Sequence, residues 1–268
     1  MKINSQPRLA LVTGASSGIG YELARQFVEN GYDLIIAAED EGINEAASSL
    51  ERTGMNIQPV QVDLATYEGN EDLWNTIREL GRPLDAAALN AGVGVNGDFT
   101  RTSLEEELNM IALNCMSTVH LGKRVSADMA ARGAGKILFT ASVVSVMPAS
   151  FMAVYGATKA FVLSFSDAIR EELKDRGVSV TALMPNATDT DFFDRARMRD
   201  TAVGAGEKDD PVLVARQGFE GLMAGKNHVL GGSIKSRAMG MAAELMPESM
   251  KAAQHRKMAE PGSTSKSH

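Results

Sequence analysis

Thr13-Gly14-Ala15-Ser16-Ser17-Gly18-Ile19-Gly20 is the stretch whose reading decides the fold. It follows a short apolar run, Leu9-Ala10-Leu11-Val12. It leads into a segment in which Ile19, Leu23, Phe27 and Val28 share one helical face before Asn30-Gly31, where a glycine cap belongs. A glycine-rich turn between a first strand and a first helix permits a tight turn, close approach of a pyrophosphate to backbone, and packing of the helix on the strand. Unpaired N–H groups and the positive dipole at the helix start then attract phosphate. Gly14, Ser16, Ser17, Gly18, Ile19 and Gly20 are therefore candidate dinucleotide contacts, although an ordinary tight turn would use the same glycines. No Gly-Lys-Ser/Thr follows, which excludes a P-loop.

Working outward, the strand-then-helix rhythm repeats. Strands are predicted at Leu34–Ala37, Ile57–Val62, Leu84–Leu89, Ile137–Phe139, Val178–Met184 and His228–Leu230. Helices fall between them: about Ile43–Arg52, a third marked by Leu73, Trp74, Ile77 and Leu80, then Leu104–Arg132, Val154–Arg176 and Asp210–Gly225. Ser103 and Glu106 read as a capping box for the long helix, with Leu108, Ile111, Cys115, Val119 and Val125 turned inward. Apolar strands alternating with crossover helices imply an α/β fold, a Rossmann-type doubly wound parallel sheet of about seven strands with helices on both faces. Residues 1–232 read as one dinucleotide-binding domain and 233–260 as a helical extension (Ala238–Leu245, Glu248–Met258). Residues 261–268 read as a disordered tail. Residues 186–209, polar and following a strand, read as a substrate loop.

The 268 residues are 44% hydrophobic and 23% charged, ordinary globular usage with material for a sizeable core. A net charge of −7 lacks the basic stripe of a nucleic-acid binder. A lone cysteine, Cys115, makes no internal disulfide and suits a reducing cytoplasm. The polar start and the short run after it predict neither a signal peptide nor a membrane span. His120, His228, His255 and His268 lack metal-ligand spacing, so no metal is expected.

Further candidates stand at strand ends, where such sheets bind ligands: Asp63 with Leu64 after the third strand, and Asn90-Ala91-Gly92 after the fourth. Tyr155 and Lys159 lie four residues apart, one turn apart on one helical face. A phenol titrating near 10 is a poor base at neutral pH, and a nearby ammonium would stabilise its phenolate. In isolation the pair would more often be a half-exposed Tyr on an amphipathic helix. Ser142, at the end of the fifth strand, could hold a substrate oxygen beside the phenol.

In order and spacing, the glycine loop, Asp63, Asn90-Ala91-Gly92, Asn114, Ser142, Tyr155-x-x-x-Lys159 and Pro185 through Thr190 resemble the short-chain dehydrogenases/reductases over roughly residues 8–232. The resemblance implies Tyr155 as general acid/base and Lys159 as the group that lowers its pKa and holds the nicotinamide ribose. It further implies Ser142 orienting the substrate oxygen and Asn114 supporting a water-linked proton relay. Thr190 would hold the carboxamide, with Pro185 and Thr188 beside it. Three features depart from the family pattern. Leu89 replaces an asparagine that braces the central sheet, Asn186 replaces a glycine after Pro185, and the chain runs on past the seventh strand.

The resemblance implies an NAD(P)-dependent oxidoreductase acting on a carbonyl or secondary alcohol. The apolar Val144, Val146, Met147, Phe151, Met152, Phe192 and Phe193 suggest an apolar-tailed substrate. A catalytically silent dinucleotide-binding or interaction protein is the alternative on the same fold. NAD is expected over NADP, because neither the end of the second strand, Ala37-Ala38-Glu39-Asp40, nor the glycine loop carries a basic residue for a 2′-phosphate. Glu39 and Asp40 would equally open the next helix. The helices Leu104–Arg132 and Val154–Arg176 match the pair that commonly forms the family's interface, which implies a homodimer or a tetramer.

Overall fold

Seven apolar runs become seven strands, the inner ones covered on both faces and the two edge strands only in part. The computed structural model describes residues 6–51, 54–238 and 247–266. The strands are β1 (Arg8–Thr13), β2 (Tyr32–Ala38), β3 (Ile57–Gln61), β4 (Ala86–Leu89), β5 (Gly135–Thr140), β6 (Val178–Pro185) and β7 (His228–Gly231). They form one sheet in the order β3-β2-β1-β4-β5-β6-β7, every neighbouring pair parallel. The chain runs from β1 outward through β2 and β3, then crosses back to start β4 on the other side of β1. That reversal opens a crevice at the carboxyl ends of β1 and β4.

The sheet separates two cores, and strand alternation assigns residues to each. Leu34 and Ile36 of β2 face one, with α1 (Gly18–Glu29), α2 (Gly42–Glu51) and α9 (Pro211–Met223). Ile35 and Ala37 face the other, with α3 (Tyr67–Glu79), α5 (Thr118–Arg132) and α6 (Ala153–Leu173). Phe27 anchors the first core edge-on to Tyr32 and Phe219, with ring centres 5.2 and 5.1 Å away. Burying such a ring contributes about 1.5–3 kcal/mol. A third, smaller cluster lies over the carboxyl ends: Met152, Phe193, Ala196, Met198 and Ala259, with Tyr155 and Phe192 packed on it. It joins α6 to the short α7 (Phe192–Arg195) and to α10 (Glu248–Ala259), while α8 (Ala202–Ala205) lies between them in sequence.

Four expectations are corrected here. The helix expected over Leu104–Arg132 is α4 (Leu104–Ile111) and α5 joined by a π-helical segment, Ala112–Ser117. Leu108, Ile111 and Val119 do not point inward; they are 55%, 37% and 40% exposed, while Met110, Asn114 and Val125 are buried. The capping box is half formed: the Ser103 hydroxyl accepts from Glu106 N, but the Glu106 carboxylate reaches Arg197. The tail is ordered as far as it is described, since Gly262 N donates to Asp200 Oδ2 and Thr264 Oγ1 to Asp200 O. The expected helix Ala238–Leu245 lies, past Ala238, outside the described residues. Among the described residues no helix is long and apolar enough to cross a membrane.

Candidate active site

Backbone closeness builds the glycine loop. A methyl group on Gly20 would fall 1.9 Å from Gly14 O, and one on Gly14 would fall 2.9 Å from the Ala91 Cα. Gly14 also holds φ +66°, a region that disfavours other residues. Gly14 N donates to Ala37 O at 2.7 Å, and Thr13 Oγ1 accepts from the backbone of Asn90 and Ala91 at 3.0 and 3.1 Å. The ends of β1, β2 and β4 are thus tied into one floor. Asn90 also spans it, Nδ2 donating to Thr13 O and Oδ1 accepting from Thr140. The sheet is therefore braced from Asn90, although the side chain of its neighbour Leu89 cannot hydrogen-bond. Ser17 caps α1 without a side-chain bond to the first turn, so those N–H groups are open to an anion.

A cleft of about 310 Å³ runs from this loop across the strand ends. Lining it are Gly14, Ser16, Ser17, Gly18, Ile19 and Gly20, then Glu39, Leu64, Asn90, Ala91 and Gly92. Ser142, Tyr155, Lys159, Pro185, Thr188 and Thr190 complete the predicted set on the walls. Asp63 is the exception among the proposed cofactor contacts. It is exposed just beyond β3, outside the cleft wall, and its carboxylate accepts from Ala65 N at 2.8 Å in the turn that opens α3. Side chains alternate along extended backbone, so its neighbours Val62 and Leu64 face the cleft instead.

Ser142 stands at the mouth of a 3₁₀ turn, Val143–Val146, where its Oγ accepts from Val144 N at 3.3 Å. Its own N–H donates to Ser145 Oγ, which donates to Lys159 O at 2.9 Å, so the turn and α6 move together. Tyr155 packs its ring on Phe192, centroids 5.2 Å apart. Burial pushes its phenol up to about 12, and the Ser142 hydroxyl opposes this. Lys159 is 5% exposed; its Nζ donates to Thr140 O at 2.9 Å and lies 5.8 Å from the Tyr155 ring centre. Burial pulls its ammonium down to about 8. The phenol is thus shifted opposite to the sequence expectation, because loss of water outweighs an ammonium already engaged by a carbonyl.

Asn114 does not reach the cleft. It sits 1% exposed in the π segment, where Oδ1 accepts from Val93 N, and Nδ2 donates to Val93 O and to Thr158 Oγ1. Every polar atom of its amide is thereby used to hold the residues beside Gly92 and Lys159. π segments often mark functional sites, and this one turns Asn114 under the floor. Asn186 does not take the positive φ of the glycine it replaces; its Oδ1 accepts from Ala187 N and its Nδ2 donates to Ser236 O.

Sequence reading missed several lining residues, among them Arg195, Lys251, His255 and Met258. Arg195, at the end of α7, donates from Nη2 to Ser17 Oγ at 2.8 Å. Lys251, His255 and Met258 come from α10. No local motif marks them, since they meet the glycine loop and the 3₁₀ turn only through tertiary packing.

A doubly wound sheet whose glycine loop, Ser-Tyr-Lys wall and crevice converge in this way defines a dinucleotide-dependent class of fold. The chain belongs to the short-chain dehydrogenase family, whose model matches residues 8–200. It is 32% identical over 194 residues to an uncharacterized oxidoreductase, YvaG, of Bacillus subtilis, covering 71% of this chain and 72% of that protein. It is 31% identical over 218 residues to a 3-oxoacyl-[acyl-carrier-protein] reductase of Vibrio harveyi, covering 80% and 88%. It spans only about half the length of very-long-chain 3-oxoacyl-CoA reductases such as that of Pyricularia oryzae, at 53%. A short-chain dehydrogenase from Sphingobium yanoikuyae, solved with NADPH, superposes with a TM-score of 0.78 at 30% identity over 83% of this chain and 87% of that one.

Proposed function

We propose that this protein is a nicotinamide-dependent oxidoreductase interconverting a carbonyl compound and a secondary alcohol, with Tyr155 exchanging the proton on the substrate oxygen. One observation carries the reading: a phenol, a hydroxyl and an ammonium (Tyr155, Ser142, Lys159) converge on the wall of the cleft that begins at the glycine loop. The cradle fits a dinucleotide, since the glycine loop lines the cleft and the first turn of α1 has open N–H groups. Gly14–Gly20 would hold the pyrophosphate, Leu64 and Asn90–Gly92 the adenosine side, and Lys159 and Thr190 the nicotinamide side. When bound, the dinucleotide supplies or accepts hydride. Ser142 orients the substrate oxygen and Tyr155 gives it a proton in reduction, the raised pKa keeping the phenol protonated at neutral pH. Asn114 is a positioning residue. A panel of ketones, aldehydes and secondary alcohols with both nicotinamides tests the reading; consumption of reduced nicotinamide supports it.

NAD is the proposed preference. Glu39 and Asp40 both border the cleft, and Asp40 accepts from Ser16 Oγ at 2.8 Å, which sets a carboxylate beside the loop. Like charge near a 2′-phosphate, screened by water and salt, favours NAD by about tenfold or more. Arg195 is a cation outside both stretches that sequence reading weighed. Titration calorimetry with both dinucleotides on wild type, Glu39→Arg and Arg195→Ala separates the two influences. NAD is expected to bind more tightly to wild type, Glu39→Arg should narrow the gap, and Arg195→Ala should weaken both ligands alike. Tighter NADP binding by wild type, lost selectively in Arg195→Ala, would reverse the assignment.

A homodimer is proposed as well. Leu104, Leu108, Met116, Val119 and Phe161 are 40–72% exposed on α4, α5, α6 and the π segment between α4 and α5. An apolar stripe of this kind fits a matching copy. Light scattering at micromolar concentration should give twice the chain mass for wild type and a single chain mass for Leu108→Glu/Met116→Glu. A monomeric wild type would contradict this.

A further inference from the structure

Helix α10 turns an uncommon face to the protein. Lys251, Gln254, His255 and Met258 follow the i, i+3, i+4, i+7 spacing, and all four line the cleft. A packed helix ordinarily buries an apolar stripe. This one buries an ammonium and an imidazole, Lys251 and His255 each being 7% exposed.

The helix is fastened in that position. Lys251 Nζ donates to Val146 O, Ser150 Oγ to Ala252 O, and Asn96 Nδ2 to Ala259 O, at 3.1, 3.2 and 2.9 Å. The Arg256 guanidinium lies 5.4 Å from the centre of the Phe151 ring. Phe151 holds φ +64°, a strained value for a non-glycine residue, four positions before Tyr155. The polar stripe of α10 is thus locked to the segment that leads into the proposed proton donor.

His255 Nδ1 lies 2.9 Å from Ser150 O. A carbonyl oxygen only accepts, so Nδ1 carries the hydrogen and the neutral ring keeps its lone pair on Nε2. Burial lowers this histidine below its ordinary 6.5 despite the bond to Ser150, so the ring is neutral at pH 7. Nε2 has no hydrogen-bond partner among the described residues, yet it is not among the enclosed unpaired atoms. His255 lines the cleft, and Nε2 is the polar atom of its ring left for a ligand there. Besides the polar Lys251 and Gln254 of α10, the cleft carries the apolar Met152, Phe192, Phe193, Met198, Val203 and Met258. An acceptor in such a cleft selects for a ligand with a donor, because an analogue lacking one leaves Nε2 dry and unpaired.

We propose that His255 is a specificity-determining residue whose Nε2 accepts a hydrogen bond from a hydroxyl or amide N–H on an otherwise apolar ketone or secondary alcohol, remote from the reacting carbon. The inference rests on the carbonyl–alcohol reading of the cleft and names the substrate class within it.

The test pairs each ketone from 2-hexanone to 2-decanone with its terminally hydroxylated counterpart, for wild type and His255→Phe, which keeps a planar ring without the acceptor. In at least one pair, wild type should favour the hydroxyketone by about tenfold or more in kcat/KM. His255→Phe should bring that ratio near one by losing rate on the hydroxyketone alone, with dinucleotide affinity unchanged. Wild-type ratios near one throughout, or a variant that loses both members of a pair equally, would overturn the proposal. If wild type reduces no ketone, the reaction assignment fails separately. Calorimetry of the same pairs on dinucleotide-loaded protein then decides: preferential binding of the hydroxyketone by wild type but not by the variant supports the role of His255, and equal or absent binding overturns it.

Discussion

Tyr155→Phe is expected to cut turnover about a thousandfold, within the range for loss of a general acid, while dinucleotide affinity stays within a few-fold. The change removes one oxygen and keeps the ring, which packs on Phe192 and the cluster under α7 and α10. Among the described residues, that oxygen's one hydrogen-bonding interaction is with Ser142. Thermal stability should therefore hold, and the loss should fall on kcat rather than on Kd. Because burial pushes the phenol up to about 12, it is protonated throughout the neutral range and ready to donate. Ketone reduction should accordingly vary little with pH near neutrality, whereas alcohol oxidation, which needs a proton acceptor, should speed up as pH rises. Steady-state rates in both directions, with calorimetric dinucleotide binding, check this; activity retained by Tyr155→Phe would remove the residue from the chemistry.

Lys159→Met is expected to lower turnover about a hundredfold and weaken dinucleotide binding together, with little loss of stability at pH 7. Two opposing terms decide the stability. Holding the ammonium at about 8 instead of 10.5 costs the fold on the order of 3 kcal/mol wherever it is charged. Deleting it leaves Thr140 O without its donor, at about 1–3 kcal/mol. These nearly cancel at neutral pH. Between pH 8 and 10.5 the folded wild type binds fewer protons than its unfolded chain, so its stability rises with pH across that window. The variant lacks this rise. Denaturant unfolding of both proteins across the window should show wild type pulling ahead; parallel curves would mean that Lys159 is not a buried cation, and unaltered dinucleotide affinity would remove its binding role.

The fold was readable because burial on both faces leaves apolar runs, and every predicted strand from Leu9 to Leu230 falls within a residue or two of its place. The glycine loop and the Tyr155–Lys159 pair were readable because loop geometry and helical spacing are local. Asp63 stands exposed outside the cleft lining, and the sequence does not say on which side of the last strand residue a carboxylate emerges. Leu108, Ile111 and Val119 read as core because an apolar stripe looks the same whether it meets the core or solvent. Arg195 and His255 carried no signal at all. Each reaches the cleft only through tertiary packing, and Lys251 and His255 of α10 look solvated until the fold buries them.

The central claim is chemical, and reduced-nicotinamide absorbance during incubation of wild type with the ketone panel tests it most directly. The account predicts ketone-dependent consumption of reduced nicotinamide, matched mole for mole by alcohol product and absent in Tyr155→Phe. Tight dinucleotide binding with no consumption on any ketone, aldehyde or alcohol would contradict it and leave a dinucleotide-binding protein without this activity.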